Sequence, residues 1–323
     1  MDNFTHSLVG WALGQAGLKT KSRKGLAALV LGANMPDIDV FFGWVSWAPL
    51  ATHRGFTHGI VAAIIMPPIL AGLLWLIDRW QARRGEEFAS GLSMNVPWLI
   101  ALSYIGALSH PLLDLQTTYS VQLLSPFSTL WFHTETLFII DAWIWTGLAF
   151  AIWLSRRREK RGETWGRPVG IALIALCGYV GLNGAISLTA RHMTRAEAPD
   201  ILFANEQPIL FWKRDLVWRR DGMIGRARYD PLRNPTGLSD IQPMMPDNMS
   251  DPLVRRAMTA SREMVTFMRW STMPVAMVER GRCEALVRVS DARFGEPRPG
   301  DRFLREVRLP IVGAGCPATK AVG

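Results

Sequence analysis

The sequence predicts a mostly α-helical membrane bundle of about six apolar segments, two of them short, followed by a small α+β domain outside the membrane. Three observations carry that prediction. Hydrophobic residues make up 49% of the 323 residues, and the chain has 14 Trp, a residue enriched where a bilayer meets water. Mean hydropathy is +0.12, high for a soluble chain. The two ends also differ. Residues 1–190 hold 14 Lys/Arg and 11 Asp/Glu, whereas residues 191–323 hold 22 and 16, a net +6 of the chain's +9. The expected organisation is therefore a membrane-embedded domain at 1–190 and a polar, basic domain at 191–323.

The first element follows Met1-Asp2-Asn3-Phe4-Thr5-His6, which has no basic run and no good cleavage site behind it, so a cleavable signal peptide is not expected. Leu8 to Leu18 and Gly25 to Ala33 are apolar but short against the roughly 20 residues of a bilayer span, and read as a buried hairpin. Gly59 to Ile77 is a long apolar run with Pro67-Pro68 inside it, a pair expected to kink a helix and tolerated in membrane bundles. Val96 to Leu108, Leu137 to Leu154 and Val169 to Ala190 complete the set. In the tail, Ile209 to Trp212 and Asp215 to Trp218 read as strand, Asp221-Gly222 as a turn and Met223 to Tyr229 as the return strand. Pro231 to Pro252 reads as loop and Val254 to Arg269 as an amphipathic helix. Val275 to Glu279 and Glu284 to Val289 read as a hairpin, with a last strand at Phe303 to Leu309.

Basic residues cluster at 19–24, 79–84 and 156–161, and such clusters stay cytoplasmic. Alternating the segments between them puts His6, Asp37, Asp39, His53, His58, His110 and Asp114 together on the outer face, along with residues 191–323. An arginine-rich tail there suits anionic headgroups, and no basic patch with interleaved aromatics points to nucleic acid. A protein partner through 191–323 stays open. Its cysteines, Cys283 and Cys316, would lie in an oxidising compartment and are expected to pair. No C-x-x-C pattern occurs, so cysteine is not expected as a metal ligand.

The chemistry sits in four short motifs: Thr5-His6, Asn34-Met35-Pro36-Asp37-Ile38-Asp39, Thr52-His53-Arg54-Gly55-Phe56-Thr57-His58 and His110-Pro111-Leu112-Leu113-Asp114. His and Asp are ligands for a divalent ion, and this many grouped carboxylates suit more than one. His110 and Asp114, four apart, share a helical face. Asp37 or Asp39 can bind metal while the other orients a ligand or acts as base, with Asp37 the candidate catalytic group. Arg54 offers a planar fork for an anionic substrate oxygen, and Thr57 reads as a helix N-cap ahead of His58. Asp141, ionisable within an apolar segment, is a further candidate, joined by Glu135 just before it. His133 and His192 are left out of the ligand set. An open position on such a metal would give hydroxide at neutral pH. Ser7, Ser109 and Thr57 sit beside histidines without a nucleophile elbow. The competing readings are a non-enzymatic membrane protein with a structural metal and a partner-binding tail, and a transporter. The second fits less well, because the motifs lie at one face and not at the midplane.

Together with Phe138-Ile139-Ile140-Asp141, these motifs resemble the YdjM-like family of inner-membrane metal-dependent hydrolases. The resemblance covers roughly residues 1–190. That family is in turn similar to the zinc phospholipase C and single-strand nuclease superfamily, an all-α fold with a trinuclear zinc site. Asp39, His53, His110 and Asp114 match the superfamily's order of an Asp, a His some fifteen residues on and an H-x-x-x-D motif. The resemblance implies two or three zinc ions, a bacterial inner-membrane location and hydrolysis of a phosphoester such as a phospholipid or lipid-linked intermediate. Two departures stand out. The superfamily's enzymes use a processed N-terminal residue as ligand, and nothing in this sequence suggests processing. Glu135 and Asp141 stand roughly where its later histidines would be.

Overall fold

The structure is a computed structural model that describes residues 1–42, 53–295 and 303–311. The chain divides into two compact units, one of Met1–Ser187 with Glu206–Trp212, the other of Leu188–Asn205 with Lys213–Gly323.

In the first unit, α1 (Asn3–Gln15) is capped by Asp2, whose carboxylate accepts from the Phe4 and Thr5 amides at 3.0 Å. After a 3-10 turn at Leu18–Lys21, α2 (Gly25–Asn34) returns and runs into a second 3-10 turn, Met35–Phe42. Helix α3 (Ile60–Arg83) continues through Pro67 and Pro68. Then come α4 (Val96–Asp114), capped by Asn95, and α5 (Ala142–Lys160), capped by Asp141. Helix α6 spans Gly166–Met193. Three of these, α3, α4 and α6, are long and apolar enough to cross a membrane. The remaining expected segments are α1 and α2, which are short, and α5, whose last turn carries Arg157, Arg158 and Lys160.

Two apolar clusters hold the bundle. One joins α1, α5 and α6 through Leu8, Val9, Ala12, Ile144, Leu148 and Val169. The other joins α2, α3 and α4 through Leu29, Leu70, Leu74, Leu99 and Leu102. Helices α2 and α4 approach closely because glycine lines the contact. A Cβ on Gly106 would lie 2.5 Å from the Leu29 carbonyl oxygen, and one on Gly32 would lie 2.9 Å from that of Ser103. Small residues of this kind let helix backbones meet in membranes. The basic clusters converge: Arg23 pairs with Asp78 at 2.6 Å, Lys19 with Glu159 at 2.5 Å, and Lys24 bonds Gln81. The helix directions put the four His/Asp motifs at the other end.

The second unit contains a four-stranded sheet, β1 (Ile201–Glu206), β2 (Arg214–Arg220), β3 (Met223–Tyr229) and β4 (Ser239–Pro246), in that order. A three-stranded antiparallel sheet follows as β5 (Pro274–Arg280), β6 (Glu284–Asp291) and β7 (Leu304–Pro310). In chain order α7 (Pro252–Ala257) and α8 (Arg262–Trp270) come between the two sheets. The β2–β3 and β5–β6 hairpins and the last strand match the sequence reading. Three expectations need correction. Ile209 to Trp212 is not a strand: Phe211 instead packs edge-on against Trp143 and Tyr179. The expected loop 231–252 contains β4. The expected single helix is two, because Ser261 caps a new one by accepting from the Met264 amide. Cys283 is disulfide-bonded, and Cys316 lies outside the described residues.

Candidate metal centre

Each ligand is placed by local structure. His6 sits in the first turn of α1 and is fully buried. Asp37 and Asp39 lie in the 3-10 turn that ends α2. Arg54 adopts a left-handed φ of 62°, which turns the chain between His53 and a 3-10 turn at Phe56–His58. Gly59 starts α3 where a Cβ would lie 2.3 Å from the Ser125 carbonyl oxygen. Helix α4 continues through Pro111, so His110 and Asp114 share a face as expected.

Four atoms from distant parts of the sequence then meet. His58 Nε2 lies 3.4 Å from Asp37 Oδ1, 3.2 Å from Asp114 Oδ2 and 3.0 Å from His110 Nε2. His110 Nε2 lies 3.3 Å from Asp37 Oδ1 and 3.2 Å from Asp114 Oδ2. Five of the six edges of a tetrahedron are thus 3.0–3.4 Å. Two ligands each about 2.0–2.1 Å from a tetrahedral zinc stand about 3.3 Å apart, so the set fits one ion.

Protonation strengthens the fit. His110 Nδ1 lies 2.6 Å from the Ala33 carbonyl oxygen, which only accepts, so Nδ1 carries the proton. Thr57 Oγ1 donates to Asp39 Oδ2 at 2.8 Å, which leaves its oxygen to accept from His58 Nδ1 at 3.0 Å. With Nδ1 engaged, both rings present Nε2 to each other and to two carboxylate oxygens. Four acceptors facing inward without a cation would repel. His6 stacks on His110 at 3.6 Å with its Nε2 3.4 Å from Asp114 Oδ1, and neither of its buried ring nitrogens has a hydrogen-bond partner among the described residues. The residues present fit a divalent ion.

A second group, Asp37, Asp39 and His53, shares Asp37 with the first. His53 Nδ1 lies 2.8 Å from Asp39 Oδ1 and 4.0 Å from Asp37 Oδ1, and its ring is 30% exposed, the most open of the set. Asp39 also accepts from the Arg54 amide at 3.0 Å. Arg54 is buried: its guanidinium reaches Asp114 Oδ1 at 3.0 Å, donates to Thr117 Oγ1 at 2.7 Å and lies over the Tyr119 ring. Thr57 orients Asp39 and does not cap a helix, because Gly59 fills that position.

The carboxylates stay ionised. Burial opposes the charge on Asp37, but positive charge shared with the His110 and His58 imidazoles, whether a proton or a divalent ion between the facing atoms, outweighs it and holds the acid well below the usual carboxylate range. Burial likewise opposes Asp39, and His53 and His58 bring it below that range. Burial lowers Arg54 to about 10, offset partly by Tyr119, Asp37 and Asp39, so it remains a cation at neutral pH.

Glu135 and Asp141 join neither group among the described residues. Glu135 lies 2.5 Å from His133 Nδ1. Asp141 caps α5 by accepting from the Trp143 and Ile144 amides at 2.9 and 3.0 Å, and accepts from the Tyr179 hydroxyl at 3.0 Å. His192 is exposed. Sequence reasoning missed Thr117, three residues after Asp114, which no motif marks. The Met1 amino nitrogen is also buried against Asp114.

Long apolar helices around a buried His/Asp centre define a membrane protein with a site that could hold metal. Residues 1–189 match the family described as YdjM inner membrane protein, and the chain belongs to that family. It is also similar to a Bacillus subtilis (strain 168) protein described as uncharacterized protein YfhP, with 28% identity over 244 residues, 70% of this chain and 68% of that one. No solved structure matches the chain.

Proposed function

We propose that the chain is a membrane-bound, metal-dependent hydrolase of a phosphoester, a phospholipid or lipid-linked intermediate, acting at the outer face of the bacterial inner membrane. The observation that carries this reading is the pair of ligand groups joined at Asp37. His58, His110, Asp37 and Asp114 would hold one ion, and Asp37, Asp39 and His53 a second. A divalent metal supplies Lewis acidity and brings the pKa of bound water to about 7. The chain does the rest. Ala33 and Thr57 fix the tautomers of His110 and His58, Arg54 holds Asp114, and Thr57 with the Arg54 amide holds Asp39. Such outer partners raise ligand basicity and set ring orientation.

A lipid substrate is supported by the rim. Beside Asp37 and Asp39, Val40 and Phe41 are 56% and 72% exposed. The facing loop, tied to the histidine turn by the Gln122 amide donating to the Arg54 carbonyl at 3.0 Å, exposes Phe127 and Leu130 at 79% and 65%. The placement of the site and of residues 191–323 outside rests on the convergence of the basic clusters at the opposite end.

A structural-metal reading has one observation in its favour, the near-complete burial of His58, His110 and Asp114. Purified protein in nanodiscs separates the two. The hydrolase reading expects turnover of bis(p-nitrophenyl) phosphate or a fluorescent phospholipid that is lost on chelation and restored by zinc. Metal without turnover, with chelation costing only thermal stability, would leave the structural reading. Absence of metal would end both.

A further inference from the structure

At the end of the bundle away from the metal centre, where α3 ends and α4 begins, lies an open cavity of about 510 Å³. Three arginines line it, Arg23, Arg79 and Arg83, against one carboxylate, Asp78. Asp78 is 2% exposed and paired with Arg23, whose Nη2 donates to its Oδ2 at 2.7 Å and whose Nε lies 2.6 Å from its Oδ1. This ion pair neutralises one guanidinium. The other two are uncompensated. Arg79 lies over the Trp75 ring at 5.0 Å and has no hydrogen-bond or ion-pair partner among the described residues. Arg83 sits four residues on, hence on the same face of α3, and likewise has no polar partner there. The cavity therefore carries two unspent positive charges in a concave wall.

Its remaining wall is apolar and includes Trp75 and Met94. Immediately before it, α3 exposes Leu73, Leu76 and Ile77 at 52%, 56% and 48%, the surface a span turns to hydrocarbon. A ligand that fits both halves has an anionic head and an apolar body that continues along α3. We propose that this cavity binds the phosphate group of an anionic membrane lipid, with Arg79 and Arg83 on the phosphate oxygens and the Arg23–Asp78 pair as its rigid floor. Arginine suits the task because its fork matches a phosphate. The site is independent of the metal centre and of any reaction there.

The test uses full-length protein extracted from mixed nanodiscs of phosphatidylcholine with a titrated fraction of phosphatidylglycerol, and counts retained lipid by native mass spectrometry. Each basic side chain near an anionic surface is worth about fivefold in affinity, so Arg79→Gln with Arg83→Gln should weaken retention of the anionic lipid about 25-fold. Arg157→Gln with Arg161→Gln removes the same charge from a neighbouring cluster and should change it less than about twofold. Adding inorganic phosphate or glycerol 3-phosphate to the wild-type protein distinguishes the source. Lipid retention unchanged by either identifies a lipid headgroup, whereas displacement by these soluble phosphates makes the ligand a free phosphate on the same arginines. No preference for the anionic lipid in the wild type, or equal loss in both double variants, overturns the proposal.

Discussion

Gly106→Ala is the sharpest test of how packing builds the metal centre. The added Cβ would stand 2.5 Å from the Leu29 carbonyl oxygen and 3.1 Å from the Ala33 amide nitrogen. An ordinary carbon–oxygen contact is about 3.4 Å, so α2 and α4 must separate by roughly 0.9 Å at that level. The same movement acts on the His110 Nδ1 to Ala33 oxygen bond, now 2.6 Å. Stretched by that much it passes beyond a good hydrogen bond. Two terms then compete in stability. Overpacking costs about 1–3 kcal/mol, while alanine in place of glycine in a helix returns about 1 kcal/mol. The net is a loss of about 0–2 kcal/mol, too small to decide the matter alone.

Metal affinity decides it, because losing a ligand's outer partner typically costs 10- to 100-fold. Competition with a chelator of known affinity should therefore show zinc binding at least tenfold weaker in Gly106→Ala. Gly72→Ala is the control: nothing lies within 4 Å of its added Cβ, so metal affinity should not move. Zinc affinity within twofold of the wild type in Gly106→Ala would refute the link between the glycine contact and the site.

Two further outcomes are expected. A topology reporter fused after Arg161 should read as cytoplasmic and one after Arg195 as periplasmic; the opposite pair would invert the chain and move the site to the cytoplasm. Unfolded, unreduced protein should react with a thiol reagent once, at Cys177, which is free, because Cys283 is disulfide-bonded; reaction at two or three positions would refute the bridge. Pairing with Cys316 would close a loop of about 30 residues, worth about 3–4 kcal/mol by chain entropy.

What the sequence made legible was local. His110 and Asp114 share a face because helical periodicity requires it, and that periodicity survives Pro111. Both short hairpins of the second unit followed from turn residues and alternation. Hidden features depended on partners far along the chain. Asp37 serves both ligand groups, and no spacing rule links residue 37 to residues 53, 58, 110 and 114 at once. Asp141 carries two signals at once: an ionisable group in an apolar segment is costly and points to a site, and an Asp just ahead of an apolar run is a strong helix-start signal. Its hydrogen bonds show the cap. Thr57 looks like a cap from its neighbours, whereas its partner is Asp39, 18 residues away and invisible to local pattern. Strand β4 carries Pro243 and Pro246, residues that argue against a strand but are tolerated at a sheet edge, where the strand order puts it.

Charge gives the two ligand groups different expected affinities. The groups contain three carboxylates, Asp37, Asp39 and Asp114, and the buried guanidinium of Arg54 offsets one of them. Two negative charges remain in a low-dielectric setting, and one divalent ion cancels them. That ion belongs in the group of Asp37, His58, His110 and Asp114, all buried. A second ion, among Asp37, Asp39 and the partly exposed His53, would leave the centre with two positive charges. It should bind more weakly, unless an anionic substrate completes the balance. Metal analysis of purified protein should therefore find one tightly held equivalent and a second that fills only at added zinc or with phosphate present. Asp114→Ala should lose the tight equivalent. His53→Ala should keep it and lose the second, together with any phosphate-dependent uptake. Metal content equal to background in the wild type, or unchanged in both variants, would remove the basis for a two-ion site.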